Sequence, residues 1–278
     1  MPGRAGVRPA AGPSCGIIAP MLQEERHQRI RALLASAELV TTERIAQDLG
    51  VSRETVRRDV VALEALGALR RVHGGVQRAS ALPEPPLQQR ARAHLLEKRA
   101  IVRAAARLLQ PGQTVFIDAG STVSLLADEL ASLRGLTVIT NSLDVAQKLV
   151  ADDTAAQCRH TVRLLGGQPR PSTGATYGDA TVAAILDQRA DWAMLSPVGI
   201  SVELGASSYE LHEAEVARAM SRQANHTVIL ADHSKLGQSS RVSFCPLERI
   251  ERLITDARAA KTAGHAALSR AGCPIVLA

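Results

Sequence analysis

The chain has 278 residues, 46% hydrophobic and 22% charged, with a formal net charge of +6 at pH 7. Such a composition excludes a disordered polymer, and the length suits a globular protein of two domains. No apolar run approaches the ~18 residues of a bilayer-spanning helix, so no membrane partner is expected. Cys15, Cys158, Cys245 and Cys273 are far apart and include no C-x-x-C pair, which argues against a cysteine zinc site or disulfide framework and fits a reducing cytosol.

Charge is unevenly distributed. Residues 1–80 carry 12 basic and 8 acidic side chains, residues 81–110 carry 6 and 2, and the remainder 15 and 17. A basic front on a mildly acidic body points to a polyanion at one end only. The opening MPGRAGVRPAAGPSCGIIAP has too brief an apolar core for a secretory signal. Residues 1–21 are expected to be a disordered leader, or an over-long start ahead of Met21.

From Glu24 to Ser36, EERHQRIRALLAS places Ile30, Leu33 and Leu34 on one helical face. In LVTTERIAQDLG, Thr41 or Thr42 can cap a short helix that buries Ile45, Ala46 and Leu49 and ends at Gly50. Ser52 is a suitable N-cap for SRETVRRDVVALEALG, whose apolar stripe is Val56, Val60, Leu63 and Leu66. Helix, tight turn and helix with a basic start is the helix-turn-helix pattern, whose second helix enters the major groove. Ser52, Arg53, Glu54, Thr55, Arg57 and Arg58 then lie where they can reach base edges or phosphates. Downstream, ALRRVHGGVQR predicts a wing hairpin turning at Gly74–Gly75, with Arg70, Arg71 and His73 beside the DNA backbone.

These residues also carry a family resemblance. VTTERIAQDLGVSRETVRRDVVALEALGALRRVHGGV resembles the DeoR-type helix-turn-helix, most visibly in VS–ETVRRD and the closing R–HGG. The resemblance implies that Ser52 to Arg58 begin its recognition helix and that the partner is double-stranded operator DNA.

ASALPEPPLQQ, with three prolines and no helical period, reads as the start of a linker over residues 79–96. RARAHLLEKRAIVRAAARLL is a helix-favouring stretch that stops at Pro111–Gly112. Short apolar runs then alternate with amphipathic ones: TVFID, LTVITN, VRLLGG, WAMLSPVG and HTVILAD as strands, with helices between them. That alternation predicts an α/β body with a mostly parallel sheet.

Ligands of such sheets sit beyond the carboxyl ends of the strands. Those ends are polar here: Asp118 to Thr122, Thr140 to Ser142, Gly166 to Arg170, Pro197 to Gly199, and Asp232 to Lys235. Backbone N–H groups at Gly120, Ser121 and Thr122 can cradle a phosphate at a helix start. Arg170 can add a bidentate cation and Lys235 a point charge.

From about Glu97 to Asp256 the body resembles the DeoR C-terminal sensor domain, in DAGST, TNS, GG with Arg170, Gly178 and AD-SK–G. That family shares its fold with ribose-5-phosphate isomerase and senses phosphorylated sugars or their derivatives. The resemblance places Asp118, Gly120, Ser121, Thr122, Asn141, Asp232, Ser234 and Lys235 in an effector pocket, joined by Arg170, His212 and Glu213. YxxHE–ADHSK is similar to the glycerol-phosphate repressor branch, which implies a small polyol phosphate. Where many members carry an Asp after Gly-Ile, this chain reads Gly199-Ile200-Ser201.

The domains expected are a leader (1–21), a winged helix-turn-helix (22–78), a linker (79–96), a sensor domain (97–257) and a C-terminal extension (258–278). The function expected is a cytoplasmic, homo-oligomeric (dimeric or tetrameric) repressor of a carbohydrate or polyol catabolic operon. It is relieved by a phosphorylated sugar or polyol and has no catalytic residues, cofactor or metal. The alternatives are a sugar-phosphate isomerase-like enzyme and an effector-independent DNA-binding protein. Against the enzyme stand the fused DNA head and the lack of the Asp- and Gly-rich acidic loop that the isomerases use.

Overall fold

The structure, a computed structural model, describes residues 22–37, 39–65, 69–72, 74–78, 86–150 and 159–278. The expected leader, residues 79–85 of the expected linker, Leu66 and His73 lie outside the described residues, as does the side chain of Arg70. The chain divides at residues 80/81 into two compact units.

The front unit runs α1 (Gln23–Ser36), β1 (Leu39–Val40), α2 (Thr42–Leu49), α3 (Arg53–Ala65), β2 (Leu69–Val72) and β3 (Gly75–Arg78). Its core is built from the stripes visible in the sequence: Ile30 and Leu34, Ile45 and Leu49, and Val56, Val60 and Leu63, with Leu33 and Ala46 packed at the edge. Of the two threonines able to cap α2, Thr41 does so, accepting the Arg44 N–H at 3.2 Å. Ser52 caps α3 by accepting the Thr55 N–H at 3.1 Å. Buried Asp59 joins α3 to α1, accepting from Arg26 Nε at 2.6 Å and Nη2 at 3.0 Å, with His27 Nε2 at 3.2 Å.

The strands form an antiparallel sheet in the order β1-β3-β2. The turn differs from the expected Gly74–Gly75. Gly75 already pairs with Val72 inside β3, and of the two glycines it is Gly74, at φ 96°, that lies in the turn. Gly75 serves a different purpose, because a Cβ there would stand 2.5 Å from the Val40 carbonyl oxygen. The missing side chain lets β1 close against the hairpin.

The second unit begins with α4 (Leu87–Arg92) and α5 (Leu95–Ala106). The helix-favouring run is broken at Ala93–His94, where His94 takes φ 54°. With neither Gly nor Pro at the break, propensity gives no sign of it. The order continues β4 (Thr114–Ile117), α6 (Ser121–Leu130), β5 (Thr137–Thr140), α7 (Leu143–Val150), β6 (Thr161–Leu164), β7 (Gln168–Arg170), β8 (Ala175–Tyr177) and α8 (Asp179–Leu186). Then come β9 (Ala190–Leu195), β10 (Gly199–Ser201), β11 (Gly205–Ser208), α9 (Leu211–Gln223), β12 (Ala224–Leu230), β13 (Val242–Cys245), β14 (Arg252–Thr255), α10 (Ala263–Arg270) and β15 (Ile275–Leu277).

Seven strands form one sheet in the order β15-β14-β12-β9-β4-β5-β6, each neighbouring pair parallel. Alternation along each strand feeds two cores. Val115 and Ile117 of β4 and Val228 and Leu230 of β12 face α5, α6 and α7. Phe116 and Ile229 face the opposite layer, where α9 and α10 pack. Residues 258–278, expected as an extension, supply α10 and the edge strand β15, which pairs with β14 from Leu253↔Ile275 to Thr255↔Leu277. Two small antiparallel additions stand apart: the β7–β8 hairpin and the sheet β10-β11-β13.

The chain lays down β4, β5 and β6 in one direction, then returns to place β9 on the other side of β4. That reversal makes a crevice at the carboxyl ends of β4 and β9, the location such sheets offer to ligands.

Candidate functional site

A cavity, partly open to solvent, occupies that crevice, where open sheets of this kind take small-molecule ligands. Its floor is Asp118, Ala119 and Gly120 after β4, Asn141 after β5, and Ser196 and Val198 after β9. The β7–β8 hairpin supplies Arg170, Thr176 and Tyr177. Glu213 and Val216 of α9, Ser208 of β11 and Phe244 of β13 form another wall, and Leu87 and Arg90 of α4 complete it.

Asp118 accepts the Ala119 N–H through Oδ1, which stiffens the turn into α6. Asn141 donates to the Thr176 carbonyl at 3.0 Å, while its buried Oδ1 has no hydrogen-bond partner. The hydroxyl of buried Thr122 is likewise unsatisfied. Ser208 donates to Glu213 at 3.1 Å. Arg170 pairs with Glu210 at 3.1 Å, and this carboxylate, followed by Glu213, raises the guanidinium's pKa further. The cavity therefore holds cations beside carboxylates, a balance suited to a ligand with both an anionic end and hydroxyls.

The predicted site residues do not all converge on this space. Asp118, Gly120, Asn141, Arg170 and Glu213 line it. Ser121 and Thr122 sit buried in the first turn of α6. Lys235 is not among the lining residues but reaches one of them, donating to Ser196 Oγ at 3.4 Å and to the Pro197 carbonyl at 2.5 Å. Asp232 caps the short 3₁₀ turn His233–Lys235, accepting from the N–H and hydroxyl of Ser234. Burial pushes the Asp232 carboxyl up, but Ser234, Lys235 and His94 outweigh it and hold the group below its ordinary value. His212 is exposed, pairs with Glu215 at 3.3 Å and stacks on the cavity residue Tyr177 at 5.2 Å. Ser201 accepts the Leu204 N–H at 3.2 Å.

Sequence reasoning missed Lys98. It is 3% exposed and donates to Ser121 Oγ at 3.1 Å and the Arg90 carbonyl at 2.5 Å. The signal was present: Lys98 shares the inward face of α5 with Ile101, Val102 and Ala105. Leu87 and Arg90 fell inside the expected linker, which is helical over Leu87–Arg92.

On the front unit, Ser52, Arg53, Glu54, Arg57 and Arg58 are exposed along the start of α3, with Thr55 half-buried among them. Arg53 pairs with Glu43 at 3.4 Å and Arg58 with Glu54 at 3.4 Å, both weak surface contacts that a phosphate can displace. Arg71 is held more firmly: its N–H and its guanidinium meet Glu64 at 3.0 and 2.6 Å. That backbone bond, followed by the side-chain bond, depresses the Glu64 carboxyl.

A helix-turn-helix with an exposed basic helix start, on a chain whose second unit holds a small-molecule cavity, defines the class of DNA-binding transcriptional regulators. Residues 26–81 match the DeoR-like helix-turn-helix domain, and residues 93–257 match the DeoR C terminal sensor domain. The chain belongs to the DeoR family of transcriptional regulators.

It is 30% identical over 237 residues to the glycerol-3-phosphate regulon repressor of Escherichia coli (strain K12), covering 85% of this chain and 92% of that one. The HTH-type transcriptional repressor GlcR of Bacillus subtilis (strain 168) is 36% identical, over 85% of this chain and 89% of its own. The HTH-type transcriptional regulator GolR of Listeria innocua is 33% identical over 93% of this chain and its full length. Similar solved structures include ribose 5-phosphate isomerase A of Methanocaldococcus jannaschii. It is 14% identical over 51% of this chain and 55% of that one, with a TM-score of 0.36.

Among the described residues, no helix is long and apolar enough to cross a membrane.

Proposed function

We propose that the protein represses a carbohydrate or polyol catabolic operon and leaves its operator when a phosphorylated sugar or polyol fills the cavity beyond β4, β5 and β9. The observation that carries this reading is the lining itself. Backbone N–H groups opening α6 and the guanidinium of Arg170 suit a phosphate, while Asp118, Asn141 and Glu213 suit hydroxyls. The unsatisfied Asn141 Oδ1 gives a ligand hydroxyl an acceptor. The name of the Escherichia coli relative, a glycerol-3-phosphate regulon repressor, agrees with a small polyol phosphate.

The protein works in the cytoplasm as a dimer or tetramer, because one recognition helix reads only a half-site. Ser52, Arg53, Glu54, Thr55, Arg57 and Arg58 meet the major groove, with Arg70, Arg71 and His73 near the backbone. Asp118 stiffens its own turn by accepting the Ala119 N–H, which supports a pocket that holds its ligand in place without transforming it. Ligand and DNA each favour a different arrangement of the heads, and a coupling of about 1–3 kcal/mol is enough to change operator occupancy.

The test is a gel shift on the DNA upstream of the neighbouring genes, with and without a panel of sugar and polyol phosphates. One phosphate is expected to release the DNA. The same compound, at a hundred times its dissociation constant, should stabilise the protein by about 2.7 kcal/mol. Unchanged or tighter DNA binding with a compound that does stabilise the protein refutes the direction of the switch.

A further inference from the structure

We propose that His94, Asp232 and His233 bind one divalent transition-metal ion of the zinc class, which pins the α4–α5 joint to the strand ends beside the cavity. One ligand atom from each of these side chains lies within 4.8 Å of the others. Two imidazoles and a carboxylate make the three-ligand set that zinc takes when its fourth position is left to water or a ligand. At metal bonds of ~2.0–2.1 Å, tetrahedral ligand atoms stand roughly 3.3 Å apart, so small side-chain rotations close the site.

Three independent features prepare it. First, Asp256 accepts from the His233 backbone N–H at 2.7 Å and from Nδ1 at 3.0 Å. A carboxylate bound to Nδ1–H fixes the ring and leaves the Nε2 lone pair for a metal, the usual outer partner of a metal-bound histidine. Second, both bonds from Ser234 fall on Asp232 Oδ1, a carboxylate 1% exposed, so neither occupies Oδ2. Third, His94 is the one non-glycine residue with positive φ among the described residues. It presents its ring edge-on to His233, with centroids 5.0 Å apart and planes at 78°. A histidine held in a left-handed turn to face another histidine and a carboxylate is a strained residue aimed at a purpose.

Spacing along the chain does not point to a metal here, because His94 and the Asp232–His233 pair are distant and match no ligand motif. The fold unites them: α4 must break at His94 to lie over the cavity, and that break carries the imidazole to the end of β12. Metal occupancy thus fastens α4, whose Arg90 lines the cavity, independently of which ligand the cavity accepts.

The test is a Zn²⁺ titration of metal-stripped full-length protein in competition with a chromophoric chelator, together with the visible spectrum of the Co²⁺ form. His94→Asn keeps a residue tolerant of the left-handed turn. His233→Asn keeps a donor where Nδ1 stands and removes Nε2. His226→Asn, at a histidine that pairs with Glu251 outside the cluster, is the control. One Zn²⁺ per chain is expected, with affinity at least tenfold weaker in both cluster variants and unchanged in the control. The Co²⁺ ligand-field bands should disappear in His94→Asn. No Zn²⁺ uptake at micromolar metal, or wild-type affinity in either folded cluster variant, overturns the proposal. If His233→Asn fails to fold, His94→Asn decides alone.

Discussion

The ammonium of Lys98 donates to Ser121 Oγ at 3.1 Å and to the Arg90 carbonyl at 2.5 Å, so one buried cation holds α4 to the loop that opens α6. Both segments line the cavity or adjoin it. Lys98→Met keeps the apolar stem and removes the bridge. It should lower stability by about 1–3 kcal/mol and weaken the thermal shift produced by the effector. Melting curves with and without the ligand check both effects; an unchanged shift would mean α4 is not coupled to the cavity.

Asp59 is the electrostatic joint of the front unit, gripped by Arg26 and His27. Asp59→Ala strands a guanidinium that is only 16% exposed and should cost about 3 kcal/mol or more in that unit. Calorimetry is expected to show an earlier transition for the front unit. Operator binding should be lost while the ligand-induced shift of the second unit remains.

Arg57 is exposed at the start of α3 and, among the described residues, makes no ion pair, unlike Arg53 and Arg58. Arg57→Ala should weaken operator binding and, where the contact is to phosphate, reduce the slope of log affinity against log salt by about one. Binding isotherms at several salt concentrations provide the measurement. A wild-type affinity and slope would remove Arg57 from the interface.

Gly167 sits at φ 143°, and a Cβ there would lie 2.0 Å from Thr181 Oγ1 and 2.6 Å from the Tyr177 carbonyl oxygen. Gly167→Ala should destabilise by ~2–4 kcal/mol, combining backbone strain with overpacking. Because the residue starts the hairpin that carries Arg170 and Tyr177, ligand binding should suffer as well. Urea unfolding and ligand titration on the same variant separate the two losses.

Burial, with a smaller push from Cys245, raises the Cys273 thiol from its ordinary 9.0 to about 11, and burial also raises Cys245. Above pH 9 the unfolded chain ionises first while the fold still holds the neutral thiol. Stability that is complete below that pH must therefore fall as pH rises toward 11. Urea midpoints across this window should decline, and Cys273→Ser should flatten the decline. At pH 8 both thiols should react with a disulfide reagent far more slowly than in the unfolded chain.

The local grammar was legible without coordinates. Ile45 and Leu49, Val56, Val60 and Leu63 repeat at helical spacing, and the core of the front unit uses that spacing. TVFID and HTVILAD are apolar runs ending in Asp118 and Asp232, and the sheet delivers both aspartates to its carboxyl edge. What stayed hidden depends on pairings between distant segments. Gly75 looked like a turn residue because its close neighbour, the Val40 carbonyl, is far away in sequence. Likewise, β7 and β8, only three residues each, are too short for alternation to register, yet they form one wall of the cavity.

The sequence by itself determined the helical stripes and the two caps of the front unit, the basic start of α3, and the strands β4, β5, β6, β9 and β12 with their polar ends. Each of these follows from side chains within one or two turns of one another. Only the tertiary structure decided that α4 breaks at His94 and roofs the cavity, that Lys98 ties it there, and that His94 meets Asp232 and His233. Those contacts join residues whose separation along the chain erases any periodic signal, and only the packing of α5 and α6 against the sheet fixes them.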